Sequence, residues 1–287
     1  MVQKTTLSMP FDEYLQIDAA SKSRLWPFRE TTEHGIYALN QPIEQTYSML
    51  LGQALEDRVQ RPTYYKDHYT ESKYKSPEAK GYKKERDEAR TKDGKFMLVE
   101  GEKLRIECMH DSILRSDAAR ELLFFGDKGV DQLTIQWEED GVPCKARIDR
   151  LTKYQGMPAH VDLKITSCKN SYQFYKQCSE LGYWMQAAHY SAGTGAIDIA
   201  NGRHPTPRMF YVVAVCNKPD PKLPGLNHHR VMIRYYDAVV LDGDDIVNER
   251  KRLLGLYRDN KGKKFSYPQP QPLSMDIHPS YVIADSY

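Results

Sequence analysis

The sequence predicts a mixed α/β or α+β domain, a central mixed β-sheet flanked by helices. Two patterns predict it. Apolar residues recur at helical spacing in some stretches and alternate with polar residues in others. The order of these stretches is helices, a three-strand meander, a helix, two strands and a helix. No repeat or composition break divides them, so residues 1–265 read as one domain followed by a 266–287 tail.

The first forty residues, punctuated by Pro10 and Pro27, read as irregular. A helix is expected over 43–60, where Tyr47, Leu50, Leu51, Ala54, Leu55 and Val59 fall at helical spacing. Residues 61–95 are very polar and read as a long loop or a set of short helices. Their lysines, arginines and tyrosines suit either a phosphate backbone or a solvated insertion. Helical spacing returns at 99–124, with Ser116-Asp117 offering a cap for a second helix. Three strands follow: Leu133–Trp137, Pro143–Leu151 and residues 159–166, the first two separated by the turn signal at Asp140-Gly141. One long helix is expected over 170–191, then strands at 208–215 and 230–236, then a charged helix over 244–259. The tail is proline-rich and expected to be extended.

The chain has 287 residues, 41 basic and 39 acidic, for a formal net charge of +2. That balance neither requires nor excludes nucleic acid, because clustered carboxylates can mask a basic channel in the sum. The five cysteines form no CxxC pair and read as reduced thiols of a reducing compartment. No apolar run is long enough to span a membrane, and the N-terminus lacks a signal-peptide core. A cytoplasmic protein with no membrane partner is the expectation.

Chemistry concentrates in "HVDLKIT" (160–166) and its surroundings. Strand alternation puts Val161, Leu163 and Ile165 on one face and Asp162 and Lys164 on the other. On the preceding strand, Lys145, Arg147 and Asp149 share a face opposite Ala146 and Ile148. Hairpin pairing brings Asp149 towards Asp162. Adjacent carboxylates repel unless a cation lies between them, and oxygen donors suit a hard divalent ion. Lys164 on the same face could stabilise a developing anion or help deprotonate water. An ordinary surface ion pair of Asp162 with Lys164 is the competing reading. Gln186 and Tyr190, four apart on the following helix, place two polar groups on one helical face.

The ordered set Asp149, Val161-Asp162-Leu163-Lys164 and Gln186-x-x-x-Tyr190 resembles the PD-(D/E)xK nuclease superfamily in its RecB-like branch. Within it, "ASKSRLWPFRET" (20–31) resembles the Ser-x-Ser-x-Leu segment of the exodeoxyribonuclease VIII (RecE-type) phage recombination exonucleases. "LGQALEDRV" (51–59) resembles that family's Gly-x-Ala-x-His helix, and "QWEEDGVPCKARIDRL" (136–151) its strand pair. The likeness covers roughly residues 10–192. Glu56 stands where that family has His; related lambda-type exonucleases have an acid there. Ile148 replaces the usual Pro, and Asp131-Gln132 stands where a Glu is frequent.

The resemblance implies a restriction-endonuclease-like core and Mg²⁺- or Mn²⁺-dependent hydrolysis of DNA. It implies Glu56, Asp149, Asp162 and the Leu163 carbonyl as ligands of one or two ions. Lys164 would orient water or offset phosphate charge, with Gln186 and Tyr190 supporting that network. Ser21, Ser23 and Arg24 become candidates for a 5′-phosphate contact, and Lys145 and Arg147 for DNA contacts. The family also implies a ring, trimeric or tetrameric, that takes duplex ends and resects 5′ to 3′ for a single-strand annealing recombinase. That places the protein in a bacterial cytoplasm, encoded by phage or prophage. The alternatives are a restriction- or repair-type endonuclease, or a catalytically silent DNA-binding protein on the same fold.

Overall fold

The computed structural model describes residues 4–7, 9–42, 45–125, 129–223 and 227–264; the expected proline-rich tail at 266–287 lies outside them. At its centre is a six-stranded mixed sheet, flanked by helices on both faces, as expected from the sequence. The strands are β1 (Lys4–Leu7), β4 (Val130–Glu139), β5 (Val142–Tyr154), β6 (Met157–Thr166), β7 (Met209–Pro219) and β8 (His229–Tyr236), in the order β1-β4-β5-β6-β7-β8. All neighbours are antiparallel except β6 and β7, which are parallel. A parallel pair needs a long crossover, and here it is helical: α9 (Ser171–Glu180) and α10 (Tyr183–Ala200). The turns β4–β5 and β5–β6 each use two left-handed residues, Asp140-Gly141 and Gln155-Gly156, the geometry of a tight hairpin.

The two faces of the sheet carry separate cores. On one, Ile135, Ala146, Ile148, Val212 and Ala214 pack with Met185, Ala187 and Tyr190 of α10 and with Leu253 and Leu254 of α12 (Asp244–Asn260). On the other, Val161, Leu163, Val213 and Val215 pack against α4 (Tyr47–Gln60), α7 (Glu102–Arg115) and α8 (Asp117–Phe124). The parallel register sets Asp162 beside Val212 and Lys164 beside Ala214. Asp162 and Lys164 thus lie under α10, while Val161 and Leu163 point towards α4.

Several expectations need correction. The first forty residues are not irregular. They include β1, α1 (Phe11–Gln16), α2 (Lys22–Leu25), a 3₁₀ turn (Trp26–Arg29) and α3 (Thr32–Asn40). These pieces are mostly too short for a hydrophobic period to show. The single helix expected over 170–191 is broken at Gly182, whose φ of +63° an L-residue adopts only at a cost. Residues 61–95 are not a long loop but the alternative, short helices, α5 (Pro62–His68) and α6 (Tyr82–Asp93), with an unexpected strand β2 (Tyr69–Glu71) paired in parallel to β3 (Phe96–Leu98). Tyr65, Tyr69 and Tyr82 of this segment are buried, so they serve packing and not a phosphate backbone. The Tyr69 hydroxyl donates to Asp57 Oδ2 at 2.8 Å and that of Tyr82 to the Met97 carbonyl at 2.6 Å. No helix among the described residues is long and apolar enough to cross a membrane.

Candidate active site

The site forms where β5 and β6 part. Their ladder runs from Tyr154↔Met157 to Arg150↔Val161 and stops there. One residue further, the Asp149 carboxylate replaces a backbone acceptor: Leu163 N–H donates to Asp149 Oδ2 at 3.0 Å. Ile148 and Leu151 both pack with the α10-side core although they are three apart. Strict alternation therefore fails between them, opposite Gln132, whose φ is +50°. The break turns Asp149 out of the regular pleat and leaves its carboxylate free to face Asp162.

Lys164 lies between the two acids, its Nζ 2.6 Å from Asp162 Oδ2 and 3.9 Å from Asp149 Oδ2. Helices close on them from both faces of the sheet. From α10, Gln186 Nε2 lies 2.6 Å from Asp162 Oδ1 and 3.0 Å from Tyr190 Oη. The Tyr190 hydroxyl donates in turn to the Arg147 carbonyl at 2.6 Å, tying α10 to β5. From α4, Gln60 Nε2 donates to the Asp149 carbonyl at 2.9 Å. Glu56 sits one turn earlier on the same helical face. Glu56, Arg147, Leu163 and Lys164 line a cleft of about 550 Å³ with Leu181 and Tyr183.

Burial decides against a surface ion pair: Asp162 is 1 % exposed. Burial, then the charge of Asp162, raises the Asp149 carboxyl to about 7. Burial and Asp149 likewise hold the Glu56 carboxyl well above its usual range. Burial works against the Lys164 ammonium, but the charges of Asp162 and Asp149 outweigh it and raise Lys164 well above its usual value. In this arrangement Lys164 is a cation that offsets negative charge, not a base that accepts a proton.

The donor set fits a hard divalent cation in kind. Three carboxylates and a backbone carbonyl supply oxygens, and two of the acids resist ionisation without a further cation. Among the described residues, no three His, Cys, Asp or Glu side chains already converge as ligands, and the Lys164 ammonium is the charge lying between Asp149 and Asp162.

The structure thus brings together Glu56, Asp149, Asp162, Leu163, Lys164, Gln186, Tyr190 and Arg147. It does not bring Lys145 into the cleft: its Nζ is spent on the carbonyls of Tyr14 and Ile17, at 2.7 and 2.8 Å. Ser21 and Ser23 face each other, hydroxyls 3.1 Å apart, at the start of α2. Arg24 points away and donates to the Leu39 carbonyl at 3.1 Å. Its neighbour Lys22 takes the cleft side instead, two residues being more than half a helical turn. Lys22 Nζ donates to the Leu181 carbonyl. Burial, then the nearby charge of Lys164, lowers the Lys22 ammonium to about 8. Sequence reading missed Lys22, Gln60 and Tyr183. Gln60 carried a signal, its i+4 spacing from Glu56, as did Tyr183, three residues before Gln186; Lys22 carried none. Asp131 and Gln132 are occupied by arginines: Asp131 pairs with Arg150 at 2.7 Å and Gln132 accepts from Arg147 at 2.5 Å.

Comparisons with known proteins bear on the family and the fold. A family model described as "PDDEXK-like domain of unknown function (DUF3799)" matches residues 21–226, a span that holds every residue of the site. Among solved structures, a chain from Eubacterium rectale named "Putative exonuclease" is similar, with a TM-score of 0.53 and 15 % identity over 92 % of this chain and 97 % of that one. At that identity the likeness speaks for the fold. No curated protein is significantly similar in sequence. The family match covers well over half of the chain: the chain belongs to this family of PDDEXK-like domains.

Proposed function

We propose that the protein is a metal-dependent DNA exonuclease that resects linear duplex 5′ to 3′ and leaves 3′ single strands for annealing. The observation that carries this reading is the buried Asp149–Lys164–Asp162 arrangement at the strand parting. Asp149, Asp162, Glu56 and the Leu163 carbonyl would hold Mg²⁺ or Mn²⁺. Bound there, the metal supplies Lewis-acid activation of water and neutralises the leaving oxygen.

The chain's own residues supply the rest. Lys164 presents a fixed ammonium to the negative charge that builds on the scissile phosphate. Gln186 fixes the rotamer of Asp162, and Tyr190 fixes Gln186 against the β5 backbone. Arg147 at one side of the cleft and Lys22 at another can take flanking phosphates. Of the segment first considered for the 5′-phosphate, Lys22 is better placed than Arg24. A homo-oligomeric ring, processive action and delivery of the 3′ strand to an annealing recombinase in a bacterial cytoplasm complete the proposal. They rest on the resemblance to the RecE-type family.

A catalytically silent DNA-binding role is the second reading. The ammonium that already spans the two aspartates favours it. Linear and covalently closed duplex, each incubated with and without Mg²⁺, test the proposal. Degradation of the linear form alone, only with metal and faster from 5′-phosphorylated ends, is expected. Cleavage of the closed circle would indicate an endonuclease, and no cleavage in any arm would support the silent role.

A further inference from the structure

A second cavity, of about 250 Å³, adjoins the active-site cleft. Three arginines line it, and each lies on an aromatic ring that lines it too. Arg61 sits 4.4 Å from the Tyr64 centroid, Arg90 4.1 Å from Phe96, and Arg147 5.3 Å from Phe11. These residues come from four separate parts of the chain, so the cluster is not the solvated face of one helix. Phe11 and Arg147 also line the active-site cleft. Arg90 and Phe96 also line a groove of about 470 Å³ along α6, which adds Lys83, Arg86 and Lys95. The three spaces thus adjoin one another, and among the described residues Asp12 and Asp87 are the only acids lining the two outer ones.

We propose that this path binds the internal backbone phosphates of a single nucleic-acid strand leading to or from the scissile site. The proposal rests on the nuclease reading for its direction, not for the binding itself. An arginine held on a ring face has less freedom to lose when it grips a phosphate with its planar fork. Arg61 is spent on the buried Asp57 carboxylate and serves to shape the wall, whereas the other two arginines keep their charge available. Arg147 contacts the neutral Gln132, and the Asp12 carboxylate paired with Arg90 is 75 % exposed and so holds it weakly. A cavity of about 250 Å³ has room for the backbone of one strand and not for a duplex.

The test reads binding, not cleavage. Full-length Asp162→Asn protein and Asp162→Asn/Arg90→Gln protein are titrated, without divalent metal, into a labelled oligodeoxynucleotide of about 20 nucleotides at several salt concentrations. Loss of Arg90 is expected to weaken binding about three- to tenfold at low salt and to reduce the slope of log K against log salt by about 0.7. Lys95→Gln should act in the same direction, and unchanged melting temperatures show that neither change unfolds the protein. An unaltered salt slope in both variants would overturn the proposal. So would a loss confined to 5′-phosphorylated oligonucleotide, which assigns the site to the end phosphate, or an equal loss on a blunt hairpin duplex. If Asp162→Asn leaves cleavage intact, the active-site assignment fails while these binding arms still decide the groove.

Discussion

Asp149 is the residue whose behaviour departs furthest from its type. Its carboxyl is raised from 3.8 to about 7 by burial and by Asp162, although Lys164 and the Leu163 amide pull the other way. An unfolded chain loses that proton near pH 4, whereas the folded chain keeps it to about pH 7. Between these values the native state binds more protons than the unfolded state. The stability that this group contributes is therefore complete below its unfolded value and is lost as pH rises through the folded one. Metal-free protein should show a falling Tm from about pH 4 to about pH 7, and Asp149→Asn should flatten the fall. A Tm profile identical in the two proteins would show that Asp149 is not so perturbed. The sequence could name this aspartate but not its state. Spacing placed Asp149 near Asp162, and only the break in alternation opposite Gln132 shows how the two come to share one end of the sheet.

Elements were legible where they are long and patterned. The strands of the meander, the crossover helices and α12 all emerge from periods of two or near four. The failures have physical causes. Strands β2 and β3 have three residues each, too few to alternate. The break between α9 and α10 is fixed by tertiary packing: a Cβ on Gly182 would fall 2.4 Å from the Trp26 ring. Nothing local announces that contact, since Trp26 is 156 residues away in the chain. The junction matters to the site, because it positions α10 with Gln186 and presents the Leu181 carbonyl to Lys22. Gly182→Ala combines a left-handed φ with this overlap and should cost about 2–4 kcal/mol of stability, read from denaturant unfolding. Gly52→Ala, where an added Cβ meets nothing within 4 Å, should be neutral or slightly stabilising in the same measurement.

At the scale of the molecule, the site needs both faces of the sheet. Acids come from the sheet and from α4 on one side, while the amide and hydroxyl that orient them come from α10 on the other. The sequence lists these residues in order but does not tell which helix covers which face. That follows from the parallel β6–β7 register, which sets Asp162 and Lys164 beneath α10. The same assembly leaves the cleft open towards Arg147 and the arginine-lined path beyond it. Lys145 shows the limit of reading from alternation, which placed it with Arg147 and Asp149. In the fold, Lys145 is consumed by the carbonyls of the N-terminal segment.

The proposed function places Asp162 at the centre of a metal-dependent nuclease. Its most direct test is the rate at which linear duplex DNA is degraded, with Mg²⁺ and with chelator, by the natural protein and by Asp162→Asn. Metal-dependent degradation that falls by on the order of 10²–10³-fold or more in the variant, whose melting remains cooperative, is expected. Equal rates for the two proteins, or degradation that persists undiminished in chelator, would contradict it.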